Sequence, residues 1–223
     1  MEHNRIALIA SLDTKLQETL YAKHEIESCG GQGLIIDIST KTLMDAGAAV
    51  GPADILARYG MTWEEFGPLD KAQSIETMSN ALTAVMPALY AEGLFDAVIS
   101  IGGGQNARMA AAAMKSLPFG VPKIVASSLA CGRRTMEQYV GDKDIMVVHT
   151  VADISGLNYT TKTVIHNVCH AALGMLQYQR QVTPDSRKKI AATMLGITSK
   201  GVEGALRLLP DGTYEKTCFH ANG

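Results

Sequence analysis

Three consecutive glycines, Gly102, Gly103 and Gly104, follow the apolar run Asp96-Ala-Val-Ile-Ser-Ile101 and precede Gln105-Asn106-Ala-Arg-Met-Ala-Ala-Ala-Ala-Met-Lys115. That order predicts a buried strand, a glycine turn and a strong helix. Glycine tolerates positive φ and carries no Cβ, so a bulky group can approach the main chain there. A helix opening near Asn106 turns unpaired N–H groups and the positive end of its dipole toward the same point. Those are the physical requirements of a phosphate or carboxylate site.

Three other polar loops follow apolar runs. Ser11-Leu-Asp13-Thr14-Lys15 offers a carboxylate, a hydroxyl and an ammonium beside a helix start. Ser127-Ser128-Leu-Ala-Cys-Gly132-Arg-Arg134 offers hydroxyls and a guanidinium pair, and Thr150-Val-Ala-Asp153-Ile-Ser-Gly-Leu-Asn158 follows the fifth run. In an open parallel sheet, ligands collect beyond the C-terminal strand ends. Hydroxyls of Thr14, Ser127 and Ser128 would then join the glycine loop around phosphates, with Lys15, Arg133 or Arg134 as countercharge. Asp13 and Thr14 also suit ordinary N-capping, which is compatible with ligand contact. For the arginine pair a solvated loop is the competing reading.

Known phosphate signatures are not met. No Gly-x-x-x-x-Gly-Lys-Ser/Thr string occurs. Gly102-x-Gly104-x-x-Ala107 fits the dinucleotide pattern, but it is not in the first strand-helix turn and no acid follows about twenty residues later, which disfavours NAD. His166 and His170 lie four apart on a predicted helix, a metal-ligand spacing. With no third ligand nearby in sequence, no metal site is expected. Cys131 and His149 could form a nucleophile and base only if the fold brought them together, and an idle thiol is the simpler reading. Asp142 and Asp144 are assigned mainly to turn chemistry, with a magnesium or ribose contact as the alternative.

The elements that must position these loops alternate. Strands are predicted at 5–10, 33–38, 96–101, 122–127 and 145–151, and helices at 14–29, 70–92, 105–116 and 161–179. The fold class is therefore α/β, a Rossmann-like open parallel sheet with helices on both faces. Gly30 should stop the first helix. Residues 39–69 carry Gly47, Gly51, Pro52, Gly60, Gly67 and Pro68, and are expected to form an insertion, either a lid or subunit contact or passive surface. Residues 1–180 make up the first domain, 181–189 a polar linker with Pro184, and 190–223 the opening of a truncated second α/β domain. Apolar surface left uncovered by such a truncation predicts a homo-oligomer, or association with the remainder of a split protein.

At 223 residues and 47% hydrophobic composition, the chain can build one good core and part of another. A net charge of -2 gives no general attraction to nucleic acid or anionic membrane. No apolar run reaches membrane-spanning length, and the N-terminus lacks the features of a signal peptide. A cytoplasmic protein is expected, with Cys29, Cys131, Cys169 and Cys218 free in a reducing compartment.

Four segments together carry a resemblance: Ile9-Ala-Ser-Leu-Asp-Thr-Lys15, Val98-Ile-Ser-Ile-Gly-Gly-Gly104, Gly120-Val-Pro-Lys-Ile-Val-Ala-Ser-Ser128 and Thr150 to Asn158. In that order they resemble the N-terminal ATP-binding domain of a bacterial, fungal and plant family that includes the tomato mosaic virus resistance protein. The likeness covers roughly residues 4–180, and Ala191 to Thr198 with His220-Ala-Asn-Gly223 resembles the start of that family's second domain. It implies ATP, with Mg2+ as a possible companion, held by Asp13, Thr14, Lys15, Gly102, Gly103, Gly104, Ser127, Ser128, Gly132, Thr150, Asp153 and Asn158; Gln105 and Asn106, at the helix start after the glycines, are added to the expected binding set from the loop itself. In the plant member the domain inhibits the viral replication protein, so an interaction or inhibitor module is an alternative. The loop departs from the family's Gly-Gly-Ser-Gly-Gly-Thr, with Asn106 and Ala107 in place of glycine and threonine. An enzyme subunit acting on a small phosphorylated or carboxylated metabolite therefore stays open beside ATP.

Overall fold

The computed structural model describes residues 4–131, 139–178 and 185–221. Gly132, Arg133, Arg134, residues 181–184 of the expected linker and the last two residues lie outside that set. The described chain divides into two compact units, Met1–Gln179 and Arg180–Gly223.

The first unit runs β1 (Arg5–Ala10), α1 (Leu12–Ser28), β2 (Gln32–Asp37), α2 (Pro52–Tyr59), α3 (Trp63–Phe66), α4 (Lys71–Ala91), β3 (Ala97–Ile101), α5 (Gly104–Lys115), β4 (Lys123–Ser127), β5 (Met146–His149) and α6 (Tyr159–Gln177). Its five strands are all parallel, in the order β2-β1-β3-β4-β5. Successive side chains on a strand face opposite ways, so a parallel sheet buried on both faces needs apolar residues at nearly every position. β1 illustrates this. Ala7 and Ile9 pack with Leu82 and Met86 of α4 and Met109 of α5, whereas Ile6 and Leu8 pack with Ile26 of α1 and Ile165 and Val168 of α6. This is the α/β, Rossmann-like arrangement with helices on both faces.

Two local features follow from single residues. Gly30, at φ 80°, ends α1, with the Gly31 N–H bonding back to the Ile26 carbonyl and the Gly30 N–H to Glu27. That left-handed stop is the one glycine supplies. Part of residues 39–69 belongs to the core. Val50 makes a parallel bridge to Ile36 at the edge of the sheet, and Ile55, Leu56 and Phe66 are core residues of the α4 and α5 face. The glycines and prolines that mark the region as irregular punctuate two short helices whose apolar sides fill that layer.

At the N-terminal edge of the sheet, Lys123 is fully buried. Its Nζ donates to the Pro118 and Val121 carbonyls and pairs with Asp144 at 2.9 Å, while Asp144 also accepts from the Gly120 N–H. Asp144 is thus a structural counterion, far along β4 from the loops that could carry chemistry. None of the four cysteines is in a disulfide among the described residues.

In the second unit, β6 (Lys188–Met194) and β7 (Tyr214–His220) pair in parallel across α7 (Ser199–Arg207), in a two-stranded sheet of their own. None of its described residues is buried, and Ile197 and Leu208 are 93% and 85% exposed. Taken by itself, this unit has no core.

Candidate functional site: the crevice at the β1–β3 switch point

β2 lies on one side of β1 and β3 on the other, so the chain changes direction across the sheet between the ends of β1 and β3. A crevice opens at such a switch point. Here it has a volume of about 290 Å³ and is lined by Ser11, Asp13, Thr14, Lys15, Thr40, Lys41, Lys71, Ile75, Gly103, Gly104, Gln105, Asn106 and Met109. Three lysines and one aspartate face it, and among the described residues none of the four belongs to an ion pair.

Two helices begin at the crevice, and their first turns differ. At α1 every leading donor is used: the Leu12 N–H donates to Asp37 Oδ1 at 3.1 Å and the Asp13 N–H to Ser39 Oγ at 3.0 Å. Those of Thr14 and Lys15 return to the Ser11 carbonyl. At α5 the N-cap is Gly103, which has no side chain to cap with. The first helical bond is Ala107 N–H to the Gly103 carbonyl, and among the described residues the N–H groups of Gly104, Gln105 and Asn106 have no partner. Only the second helix presents free donors and an unopposed positive dipole end to an anion.

The glycines serve different ends. None of Gly102, Gly103 and Gly104 adopts positive φ, contrary to the expectation from sequence. What matters is the missing Cβ. At Gly102 it would lie 2.8 Å from the Asn106 amide, and at Gly104 2.3 Å from the Leu129 Cδ1. At Gly103 it would meet nothing within 4 Å. The outer two glycines make room for protein, and the central one keeps the crevice open.

Asn106 is 6% exposed and spans the switch point. Its Oδ1 accepts from the Ser11 N–H at 3.1 Å, and its amide nitrogen donates to Ser100 Oγ at 2.8 Å. It ties the β1–α1 turn to β3, so its role is to position the two loops. Lys15 sits at a kink in α1, at φ -132° and ψ 26°. The Thr19 hydroxyl donates to the Lys15 carbonyl at 2.7 Å, competing with the helical ladder at that turn.

Asp37, at the end of β2, is fully buried. Its Oδ1 accepts from Leu12 N–H, Ser39 N–H and Ser39 Oγ, while Oδ2 has no partner among the described residues. Burial pushes its carboxyl above the usual range, and the Ser39 hydroxyl and the Leu12 and Ser39 N–H groups offset only part of that. A raised folded-state value means the folded protein holds this proton more tightly than the unfolded chain does. The associated stability is fully present below the ordinary carboxylate value and is lost as pH rises through the folded one. Asp37→Asn keeps the accepting oxygen and removes the ionisation. Its stability relative to wild type, from urea midpoints, is expected to improve as pH rises above about 4, the ordinary carboxylate value, toward the raised folded-state one; a constant difference would refute the assignment.

Ser127, Ser128, Thr150 and Asp153 gather in a second group, at the ends of β4 and β5. The Ser128 hydroxyl donates to Asp153 at 2.6 Å, the Thr150 N–H to the Ser127 carbonyl at 3.3 Å, and the Thr150 hydroxyl to the Ala152 carbonyl at 2.7 Å. Between them Val151 takes φ 64°, a strained position for a β-branched residue. Leu129, packed on Gly104, joins this group to the crevice wall. Asn158 caps α6, accepting from the Thr161 N–H.

Comparison with known proteins places the chain in a family. The profile described as "Uncharacterised protein family (UPF0261) N-terminal domain" matches residues 4–181. The chain belongs to the UPF0261 family. A UPF0261 protein of Clostridium tetani is 31% identical over 222 residues, covering 99% of this chain and 54% of its own length. One from Mesorhizobium japonicum is 31% identical over 227 residues, covering 98% and 53%. The tomato mosaic virus resistance protein Tm-1 of Solanum lycopersicum is 27% identical over 241 residues, covering 98% of this chain and 32% of its own. The chain thus spans about half the length of the bacterial UPF0261 relatives. No described helix is long and apolar enough to cross a membrane.

Thr40, Lys41 and Lys71 are crevice residues that the sequence reading missed. Thr40 and Lys41 follow β2, and the strand-end rule applied to that strand as to the others would have found them. Lys71 opens α4, more than thirty residues from the nearest strand end before it, and no local signal marks it.

Proposed function

We propose that the β1–β3 crevice binds ATP, with the phosphates on the first turn of α5 and the lysines around them. The observation that carries this reading is the convergence of free N–H groups at Gly104 and Gln105 with Lys15, Lys41 and Lys71, all lacking ion-pair partners among the described residues. Such a surplus of donors and cations fits a multiply charged anion, because charge-assisted bonds to phosphate are about twice as strong as neutral ones. The same test of fit extends to magnesium: Asp13, the single carboxylate in the lining, is the group suited to hold it beside the phosphates. Asp153, already oriented by Ser128, suits a ribose hydroxyl on the adjoining wall.

A second reading is favoured by the size of the crevice. About 290 Å³ lies at the lower limit of ligand pockets, roughly 300–1,000 Å³, so a smaller phosphorylated or carboxylated metabolite also fits. Calorimetry with ATP and magnesium, against AMP, NAD and pyrophosphate, separates the two. Saturable binding that prefers ATP over pyrophosphate supports the nucleotide. Pyrophosphate binding as tightly as ATP supports the smaller ligand, and no heat from any of them defeats the nucleotide.

A further inference from the structure

His166 and His170 stand one turn apart on α6, and the fold supplies what their spacing lacked. Glu25 of α1 reaches between them: its Oε2 lies 2.8 Å from His166 Nδ1 and 3.9 Å from His170 Nε2. Donor atoms of all three residues fall within 4.8 Å of one another. Cys29, one turn beyond Glu25, brings its Sγ to 3.6 Å from the same His170 Nε2. Glu25 and Cys29 stand at the C-terminal end of α1, away from the crevice at its first turn, and nothing in the proposed nucleotide chemistry uses them or the two histidines.

A Cys-His-Glu relay does not account for this geometry. In a relay the thiol and the carboxylate engage opposite nitrogens of the imidazole, so that one orients the ring and the other exchanges its proton. Here Glu25 and Cys29 both approach Nε2 of His170. The Glu25, His166 and His170 donors converge on one point rather than along a chain, which suits a cation in their midst, and Cys29 reaches that cluster through His170. Tetrahedral zinc, with bonds of about 2.0–2.1 Å to nitrogen or oxygen and 2.3 Å to sulfur, separates nitrogen from sulfur by about 3.6 Å and nitrogen from oxygen by about 3.3 Å. The first matches the His170–Cys29 distance, and the second falls between the two His–Glu distances. Two imidazoles, a carboxylate and a thiol form a mixed set that favours a borderline metal over magnesium or calcium.

We infer that Glu25, His166 and His170 form a zinc site that clamps the end of α1 to α6, with Cys29, now against His170, turning in as the fourth ligand. On binding, the Cys29 thiol releases its proton to solvent and the thiolate becomes the fourth ligand. The Tyr21 hydroxyl lies beside the Glu25 carboxylate, as outer partners of metal ligands commonly do.

Cobalt tests the site, since it takes zinc's geometry and reports it by colour. The tag-free, chelator-stripped full chain is titrated with Co2+ and then with Zn2+. One equivalent of cobalt is expected to give the intense visible bands of a tetrahedral centre and a sulfur-to-cobalt band in the near ultraviolet, both erased by zinc. Outer-shell partners alone are worth about 10–100-fold in affinity, so losing a ligand by His166→Ala, His170→Ala or Glu25→Gln should weaken binding at least tenfold. Cys29→Ser should abolish the sulfur band. The histidine side chains are 51% and 39% exposed, so these variants spare the core, and circular dichroism verifies their fold. Zinc should raise the melting temperature of the wild type and not of the variants. Absence of binding, or binding undiminished in the histidine and Glu25 variants, overturns the site; a sulfur band that survives Cys29→Ser removes Cys29 from it.

Discussion

Gly103→Val is expected to abolish nucleotide binding while leaving the melting temperature within a few degrees of wild type. Gly103 has φ -69° and ψ 175°, an extended conformation open to any residue, and a Cβ built there meets nothing within 4 Å. A valine is therefore accommodated without displacing protein atoms, and its branched side chain enters the crevice beside the free N–H groups of Gly104 and Gln105. Those donors can reach a phosphate only if no side chain stands between. Gly102→Ala is the contrasting control, because its Cβ would come 2.8 Å from the Asn106 amide and disturb the bonds to Ser11 and Ser100. Gly102→Ala should lower stability, and Gly103→Val should not. Calorimetry paired with thermal unfolding reads both. Full affinity in a folded Gly103→Val protein would remove the α5 turn from the site.

Much of this architecture was legible because apolar runs and helical stripes are local signals. The five strands of the sheet and the four long helices fall within a few residues of their expected limits. Residues 39–69 were harder: Gly60 and Gly67 signal irregularity, but only the fold reveals that Ile55, Leu56 and Phe66 turn inward as core. The glycine loop was found for partly the wrong reason. It needs missing Cβ atoms at Gly102 for Asn106 and at Gly104 for Leu129, the second a partner that proximity in sequence does not reveal, rather than positive φ. Lys71 entering the crevice and Glu25 joining His166 and His170 are long-range events of the same kind. A spacing of four on one helix cannot show what a second helix lays against it.

Lys15→Ala is expected to weaken ATP binding by about 1–3 kcal/mol, roughly 5–150-fold, and by more than Lys41→Ala or Lys71→Ala. All three ammonium groups face the crevice, but Lys15 is half-buried while Lys41 and Lys71 are exposed. Exposed charges are weakened by solvent and by salt, whose screening length is about 10 Å at 0.1 M. The deeper lysine should also keep more of its contribution as salt rises. Its backbone is held at the α1 kink by the Thr19 hydroxyl, which reduces the ordering required on binding. Raising ionic strength should therefore erode the effects of Lys41→Ala and Lys71→Ala first, leaving Lys15→Ala the largest. Three equal, salt-sensitive losses would mean that the crevice attracts anions through its general field, without a specific contact from Lys15. No loss in any of the three would place the anion outside this crevice altogether.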